Sequence, residues 1–221
     1  MKKTLVIAHR GFHGDFPENT LEAFCAAREI GVDGVEFDVQ ETADGGFVVF
    51  HDDRIEGKSI SSLKLEDIEQ LRVGGSCRMP TLQQTLEVLG SGLVLLVELK
   101  KVRSLEKFLA ILRRYVDAAW TILVSFDAEL IEKLAVLAPG FQRVVIGEPA
   151  GTRHTVAAAG FRQVPVGMVT ADLVKEAHER GDPVFVWDGG EEEDLRRALR
   201  CGIDVIMTDR PDAAIREVRK L

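Results

Sequence analysis

Three acidic residues at the ends of two apolar runs are of the right type to bind a metal ion. Glu36 and Asp38 stand two residues apart in the first run, and Glu98 stands in a later one. Residues two apart in a strand point to the same face, so Glu36 and Asp38 should project together. Converging carboxylates repel one another unless a cation binds them, and an all-oxygen ligand set favours Mg²⁺ or Ca²⁺ over zinc. We therefore predict one divalent cation bound by Glu36, Asp38 and Glu98.

Two histidines stand at similar positions. His9 follows the first apolar run of the chain, and His51 follows a short run after the first acidic pair. Imidazole titrates near neutral pH, so both side chains suit proton transfer. Cleavage of a phosphodiester needs a base for the nucleophile and an acid for the leaving alkoxide, and we assign these roles to His9 and His51 in either order. His13, His154 and His178 have no comparable neighbours in the sequence.

Two cations accompany these groups, Arg10 beside His9 and Lys100 two residues after Glu98. The chain carries 28 basic and 36 acidic residues and a formal net charge of −8, so a phosphate site would need local positive charge. Arg10 can form two parallel hydrogen bonds to a phosphate, and Lys100 can act as a point charge beside the metal. The acidic balance also argues against nonspecific nucleic-acid binding.

The elements that must position these side chains follow a regular rhythm of apolar runs and amphipathic segments. The predicted strands are 5–8, 32–39, 93–99, 121–124, 143–146, 164–168, 184–187 and 205–207, with a further short strand at 47–50. The predicted helices are 19–30, 81–89, 105–116, 128–137, 153–159, 171–180, 191–200 and 213–220. Repeated strand–helix units predict a parallel sheet in an α/β fold, and eight of them favour a closed TIM (β/α)₈ barrel.

In such a barrel the carboxyl ends of the strands converge on one mouth, where the candidate residues would meet. The 221 residues suit one domain, so we expect residues 1–221 to form a single barrel. One long polar connection, residues 53–79, interrupts the rhythm. We interpret it as a short capping insertion that follows the second strand and shapes the substrate pocket.

The composition is that of a soluble globular protein, at 46% hydrophobic and 29% charged residues. Three cysteines without regular spacing, Cys25, Cys77 and Cys201, indicate neither a disulfide framework nor a zinc site. The apolar run at 4–8 is too short for a signal peptide, and no stretch is long enough to cross a bilayer. We expect a cytoplasmic protein without stable membrane insertion, and the sequence indicates no oligomeric state.

A series of short segments resembles the glycerophosphodiester phosphodiesterase family, and the resemblance runs from residue 9 to about residue 211. The segments, all in this order, are His9-Arg10-Gly11, Pro17-Glu18-Asn19-Thr20, Gly34-Val35-Glu36-Phe37-Asp38-Val39, Val49-Phe50-His51-Asp52, Pro80-Thr81-Leu82, Val97-Glu98-Leu99-Lys100, Ser125-Phe126, Val186-Trp187, Gly202-Ile203-Asp204 and Thr208-Asp209. Such an ordered series is highly specific.

The resemblance implies a TIM barrel that hydrolyses glycerophosphodiesters to sn-glycerol 3-phosphate and an alcohol. It implies the roles already given to the two histidines and the three carboxylates, and it places Arg10 and Lys100 near the phosphate. It implies that Trp187 forms an apolar wall of the glycerol pocket, unless that residue is barrel core. The sequence departs from the family at Asp188-Gly189-Gly190, where Asp188 either contacts substrate or begins a turn, and within residues 53–79.

Two other functions fit the same barrel. One is a phospholipase-D-like lyase that forms a cyclic phosphate, which the lack of a signal sequence and of paired cysteines disfavours. The other is a noncatalytic glycerophosphodiester binder, which would lack a complete acid–base pair. A sugar-phosphate isomerase or aldolase would need a Schiff-base lysine or a glycine-rich phosphate loop, and neither is found. Three questions stay open. They are the identity of the metal (Mg²⁺, Ca²⁺ or Mn²⁺), the preferred alcohol, and whether the first nucleophile is water or the glycerol 2-hydroxyl.

Overall fold

Strands and helices alternate along the chain in the computed structural model, which describes residues 4–146, 153–156, 159–188 and 191–221. The strands are β1 (Leu5–Ala8), β2 (Gly34–Glu41), β3 (Phe47–Val49), β4 (Arg54–Ile55), β5 (Lys58–Ser59), β6 (Arg72–Val73), β7 (Cys77–Arg78), β8 (Val94–Lys101), β9 (Thr121–Ser125), β10 (Gln142–Val145), β11 (Arg153–Val156), β12 (Ala159–Pro165), β13 (Val184–Asp188) and β14 (Val205–Thr208). The helices are α1 (Leu21–Ile30), α2 (Leu65–Ile68), α3 (Leu82–Leu89), α4 (Leu105–Tyr115), α5 (Ala128–Leu137), α6 (Ala171–Glu179), α7 (Glu192–Arg200) and α8 (Pro211–Val218).

The main sheet has the strand order of a TIM barrel, which confirms the predicted fold class. Its hydrogen-bonded order is β10-β9-β8-β2-β1-β14-β13-β12-β11. Every pair from β10 to β12 along this order is parallel, and β1 pairs with both β2 and β14. The first and last strands are therefore neighbours. Two antiparallel strands are added: β3 beside β2, and β11 beside β12.

Local signals in the sequence fix the ends of the helices. The Thr20 hydroxyl accepts a hydrogen bond from Ala23 N at the start of α1, and Gly31 ends that helix with a left-handed φ of 80°. Thr81 and Gln84 form a reciprocal capping box at the start of α3. None of the helices in the described ranges combines the length and apolar character needed to cross a bilayer.

Apolar residues pack on both faces of the sheet. Two large clusters fill the space between the strands and the helices. One includes Phe24, Phe37 and Phe108, and the other includes Val186 and Ile206. Inside the barrel, Ile7, Leu96 and Phe185 form a further buried cluster. Because side chains alternate along each strand, this apolar layer lies beneath the polar residues that end the same strands.

The predicted helix at 153–159 is wrong. The described residues of this segment form β11 and the first part of β12, paired antiparallel with Val156 opposite Ala159. Thr155 and Val156 are β-branched and favour an extended backbone, and a seven-residue segment carries too little periodicity to separate helix from strand. The strand predicted at 164–168 lies earlier in the structure, since β12 ends at Pro165 and a 3₁₀ turn follows over Val166–Met168.

Residues 53–79 contain two short hairpins, β4 with β5 and β6 with β7, and the helix α2. Ile60 and Ile68 are buried in a small apolar cluster of their own. An ion pair of 2.6 Å between Lys101 Nζ and Asp53 Oδ2 ties the start of the segment to the end of β8. The start of the segment therefore lies beside the carboxyl end of β8.

Candidate active site

A tight turn after β1 positions the first candidate residues. His9 N donates to Thr208 O at 3.1 Å, which extends the pairing of β1 with β14 by one residue. Arg10 and Gly11 then take left-handed φ values of 53° and 84°. A Cβ on Gly11 would lie 2.9 Å from the backbone carbon of Ala23, so only glycine fits against α1. The turn directs Arg10 N to Glu36 Oε2, 3.0 Å away.

The three carboxylates predicted to bind a metal lie together at the mouth of the barrel. Asp38 and Glu98 are direct partners in the β2–β8 register, and Glu36 lies two residues before Asp38 on the same face. One oxygen from each of Glu36, Asp38 and Glu98 lies within 4.8 Å of the others. All three residues are buried, with exposed fractions of 3%, 0% and 9%. Neighbouring parallel strands thus bring three acidic groups within reach of one cation.

Burial makes this cluster costly without a cation. Loss of hydration raises the pKa of Glu36 well above its ordinary value, and the charges of Asp38 and Glu98 raise it further. The pKa of Glu98 is also raised, by burial first and by Asp38 second. Asp38 Oδ1 and Glu98 Oε1 are buried without a hydrogen-bond partner. Unsatisfied oxygens from carboxylates are the donors that Mg²⁺ or Ca²⁺ requires, so the residues fit a divalent ion.

Lys100 compensates part of this negative charge. Its Nζ lies 3.0 Å from Glu98 Oε1 and 3.8 Å from Asp38 Oδ1. Arg10 also contributes, since its guanidinium donates to Glu18 at 2.8 Å and lies 3.4 Å from Asp38 Oδ2. The two cations are therefore shared among three carboxylates, Asp38, Glu98 and Glu18, which leaves room for the positive charge of a metal ion.

Asn19 fixes the orientation of Asp38. Its side-chain amide donates to Asp38 Oδ2 at 2.8 Å, and its carbonyl accepts from Asp38 N at 3.3 Å. Asn19 is 1% exposed and has a left-handed φ of 57°. A non-glycine residue in that conformation is strained, and such strain is common at functional sites. The paired bonds leave Asp38 Oδ1 as the oxygen available to a ligand.

His9 is held by a carboxylate from the other end of the chain. Its Nδ1 lies 2.7 Å from Asp209 Oδ1, and its Nε2 lies 3.9 Å from Glu36 Oε2. Hydrogen bonds from His13 and His9 hold the pKa of Asp209 far below its ordinary value, so this group is an ionised acceptor. Because an ionised carboxylate can only accept, Nδ1 of His9 is the donor in this contact, which leaves Nε2 as the ring nitrogen available for proton transfer.

His51 has a similar but more exposed partner. Its Nδ1 lies 2.8 Å from Asp52 Oδ1, and the side chains of the two residues are 32% and 71% exposed. The same geometry leaves Nε2 of His51 available for proton transfer. Each candidate histidine thus has its own carboxylate, one partly shielded and one in solvent.

These groups surround one cavity of about 310 Å³. Its polar lining comes from His9, Arg10, Glu36, His51, Glu98 and Lys100, so nearly all of the predicted site residues meet there. Trp187 also lines the cavity, and its ring packs edge-on against His9 with centroids 6.0 Å apart. It is 41% exposed and therefore forms a wall of the cavity instead of buried core.

Sequence reasoning missed three residues of this site. Asp209 follows the last strand, and its position at a strand end was the available signal. Asn19 precedes Thr20, the N-cap of α1, and its side chain binds Asp38 instead of the helix. His13 has no comparable neighbours in the sequence, but in the structure its Nε2 lies 3.3 Å from Asp209 Oδ1, and that bond raises the pKa of His13. The side chains of Asp188 and His154 lie outside the described residues.

Comparison with known proteins identifies the family of this chain. A family model described as the glycerophosphoryl diester phosphodiesterase family matches residues 9–213. A glycerophosphodiester phosphodiesterase of Caldanaerobacter subterraneus is 31% identical over 99% of both chains. The crystal structure of a glycerophosphodiester phosphodiesterase from Agrobacterium tumefaciens is 27% identical, with a TM-score of 0.85 over 96% of this chain and 98% of that one.

A phosphodiesterase of Oleispira antarctica, solved in complex with the product sn-glycerol-3-phosphate, shares the fold. It is 23% identical, with a TM-score of 0.80 over 98% of this chain and 97% of that one. The family model spans nearly the whole described barrel, including the carboxylate cluster and both histidine–carboxylate pairs. The chain therefore belongs to the glycerophosphoryl diester phosphodiesterase family.

Proposed function

We propose that this enzyme hydrolyses glycerophosphodiesters to sn-glycerol 3-phosphate and an alcohol, with a divalent cation and two histidines. The observation that carries the proposal is the convergence of three buried carboxylates and two carboxylate-supported imidazoles on one cavity. The sn-glycerol-3-phosphate bound by the Oleispira relative supports the expected product. The cavity suits a small molecule, since it has a volume of about 310 Å³ and a few converging polar groups.

Glu36, Asp38 and Glu98 would hold the cation. When bound, a divalent ion supplies Lewis-acid polarisation of the phosphate and offsets charge that develops on its oxygens. Arg10 and Lys100 line the same cavity and would bind the phosphate with Coulombic attraction and hydrogen bonds. Trp187, beside His9, would form an apolar wall against the carbon face of the glycerol.

His9 and His51 would transfer the protons. One imidazole accepts the proton of the attacking hydroxyl through its free Nε2 as the new P–O bond forms. The other, protonated, donates to the leaving alkoxide as the old P–O bond breaks, so the alcohol departs neutral. The attacking group is either a water molecule or the 2-hydroxyl of the glycerol. In the second case a cyclic phosphate forms first, and water opens it in a second step.

An assay on glycerophosphodiesters of choline, ethanolamine, glycerol and inositol tests this function. We expect release of sn-glycerol 3-phosphate with Mg²⁺, Ca²⁺ or Mn²⁺ and none after chelation, because the cluster cannot bind a phosphate anion while its negative charge is uncompensated. A variant lacking both His9 and His51, purified in parallel, controls for contaminating phosphodiesterases. Absence of hydrolysis with every ion and every ester would contradict the proposal and favour a binder.

Phosphorus NMR of the reaction separates the hydrolase from a lyase. A linear monoester as the final product supports hydrolysis. A cyclic phosphate that persists as the end product would show that the enzyme stops after intramolecular transfer.

Replacing Asp209 with asparagine should lower kcat on the order of 10²-fold with little change in KM. The amide would no longer hold His9 with Nδ1 protonated, so the ring would lose both its tautomer and its orientation. The measurement is steady-state kinetics on the best ester of the panel, with a thermal unfolding scan to show that the barrel is intact.

Asp52→Asn is the matched control, because Asp52 supports His51 in the same way but is mostly in solvent. Water can replace its hydrogen bond, so we expect a smaller loss in kcat. If Asp209→Asn kept the full kcat, the positioning role of Asp209 would be rejected.

We further propose that residues 1–221 act as one catalytic domain, with residues 53–79 as a short cap near its mouth. The ion pair between Asp53 and Lys101 supports that placement. The described lining of the main cavity includes His51 but none of residues 53–79, so an effect of this segment on the choice of alcohol stays a prediction.

A further inference from the structure

The main cavity has two chemically different halves. The polar groups come from the ends of β1, β2 and β8 and from His51 after β3. The strands on the other side contribute aliphatic and aromatic side chains. We call this side the apolar chamber, formed by Ile122, Val124, Phe126, Val144, Ile146 and Phe185.

Strand register places the apolar chamber beside the carboxylate cluster. Val124 of β9 is the direct partner of Glu98 in β8, and Val144 of β10 is the direct partner of Val124. Val124 and Val144 are 6% and 2% exposed, so they form a deep wall and not a surface patch. If the phosphate of a substrate lies beside the carboxylate cluster, an organic group attached to it would contact this wall, because β9 is one strand spacing, about 4.8 Å, from β8.

The chamber continues upward to the rim through Phe126. This residue follows β9 and is 64% exposed, and Lys100 Nζ lies 5.8 Å from the centroid of its ring. Lys100 therefore marks the border between the polar and apolar halves. A large aromatic ring exposed beside a concave apolar wall is typical of a ligand-binding surface.

The two arms of the substrate differ in what they can place against such a wall. The glycerol arm carries hydroxyl groups, which lose hydrogen bonds to water and need polar partners in return. Those partners line the other half of the cavity, at Arg10, His51 and Lys100. The described side chains of the apolar chamber carry no hydrogen-bonding group, so a hydrocarbon is the group that loses nothing there.

We propose that the apolar chamber binds the alcohol arm of the diester and that the enzyme prefers glycerophosphodiesters of apolar alcohols over those of polar head groups. This inference rests on the proposed function and names its substrate class. Burial of each additional methylene group in the chamber makes the binding free energy more favourable. The transition state keeps this stabilisation, because the alcohol arm remains bound in the chamber until the P–O bond breaks.

A series of sn-glycero-3-phospho-n-alkanols, from ethanol to octanol, tests the proposal in the wild-type enzyme. We expect kcat/KM to rise about four-fold per methylene group until the chain outgrows the chamber. The choline ester and its uncharged isostere, the 3,3-dimethylbutyl ester, provide a second comparison at equal size. We expect the uncharged ester to have the higher kcat/KM, since the chamber has no carboxylate among its described residues.

Two variants locate the effect. Phe126→Ala removes an exposed ring, and Val144→Thr keeps the side-chain shape while adding a hydroxyl. Both should lower the gain per methylene group. Val136→Ala, an exposed apolar residue of α5 outside the cavity, should keep it. The wild-type series decides the question on its own if either variant folds poorly.

The outcomes are distinct. If kcat/KM stayed flat or fell with chain length while the choline ester was hydrolysed well, the proposed role of the apolar chamber would be rejected. The proposed function would still stand. Preference for the choline ester over its isostere would also overturn it, because the aromatic ring would then bind a cation. If no ester is hydrolysed, the proposed function fails and the inference falls with it.

Discussion

Alanine in place of His9 or His51 should lower kcat by about 10²–10⁴-fold while the barrel remains folded. Each imidazole has Nδ1 bound to an aspartate, so under the proposed mechanism each removal deletes one of the two proton transfers. Both side chains line a solvent-accessible cavity, and their loss leaves the strand pairing unchanged. Steady-state kinetics on the best glycerophosphodiester, with thermal unfolding of each variant, measures the effect.

His178→Ala is the matched control. His178 lies on α6, is partly exposed and pairs with Asp204 away from the main cavity, so its loss should leave kcat unchanged. Near-native turnover by both His9→Ala and His51→Ala would reject their assignment as acid and base.

An ester with an activated leaving group, such as p-nitrophenol, distinguishes the two roles. A good leaving group needs no proton, so the variant that lacks the acid should recover much of its rate with this ester. The variant that lacks the base should stay slow. The histidine whose loss is rescued is therefore the acid.

Replacing Glu98 with glutamine should lower activity on the order of 10³-fold, because in the proposed mechanism the amide removes both a metal ligand and the charge that balances the ion. Binding of Mg²⁺ or Ca²⁺, measured by titration calorimetry without substrate, should weaken in parallel. Glu132→Gln, at an exposed position of α5, is the control and should alter neither quantity. Unchanged ion affinity in Glu98→Gln would exclude that residue as a ligand.

The same cluster should make the metal-free protein sensitive to pH. The pKa of Glu36 is raised above its ordinary 4.5, so the folded state holds this proton more tightly than the unfolded chain does. As pH rises above 4.5, the unfolded chain ionises first, and the contribution of Glu36 to the free energy of unfolding declines until the folded pKa is passed. Glu36→Gln should remove this decline, and chemical unfolding with chelator present measures it.

The sequence was sufficient to predict the barrel and the carboxylate cluster because both depend on short-range rules. Alternation along a strand puts Glu36 and Asp38 on one face, and parallel pairing of β2 with β8 brings Glu98 beside them. Chain order predicted that pairing, since consecutive strand–helix units in a barrel are neighbours. The same rules placed Lys100 next to Glu98.

The rest depends on contacts that chain order alone does not specify. The bond from His9 to Asp209 joins residues 200 positions apart and exists only because β1 pairs with β14. The contact of Asn19 with Asp38 depends on a left-handed backbone at Asn19, which sequence patterns do not predict for a non-glycine residue. The antiparallel pairing of β11 with β12 replaced a predicted helix for a similar reason, as tertiary pairing outweighs weak local preference.

The adjacency of β1 and β14 also separates two parts of the chemistry in space. His9 follows β1, and Asp209, whose carboxylate contacts it, follows β14. The three acidic side chains instead lie on β2 and β8, which pair with each other. Fraying at the junction of the first and last strands would disturb the contact of His9 with Asp209, while the pairing of β2 with β8 still holds Asp38 beside Glu98. Under the proposed mechanism, partial opening of the barrel there would stop turnover before it separated the carboxylates that we propose to hold the ion.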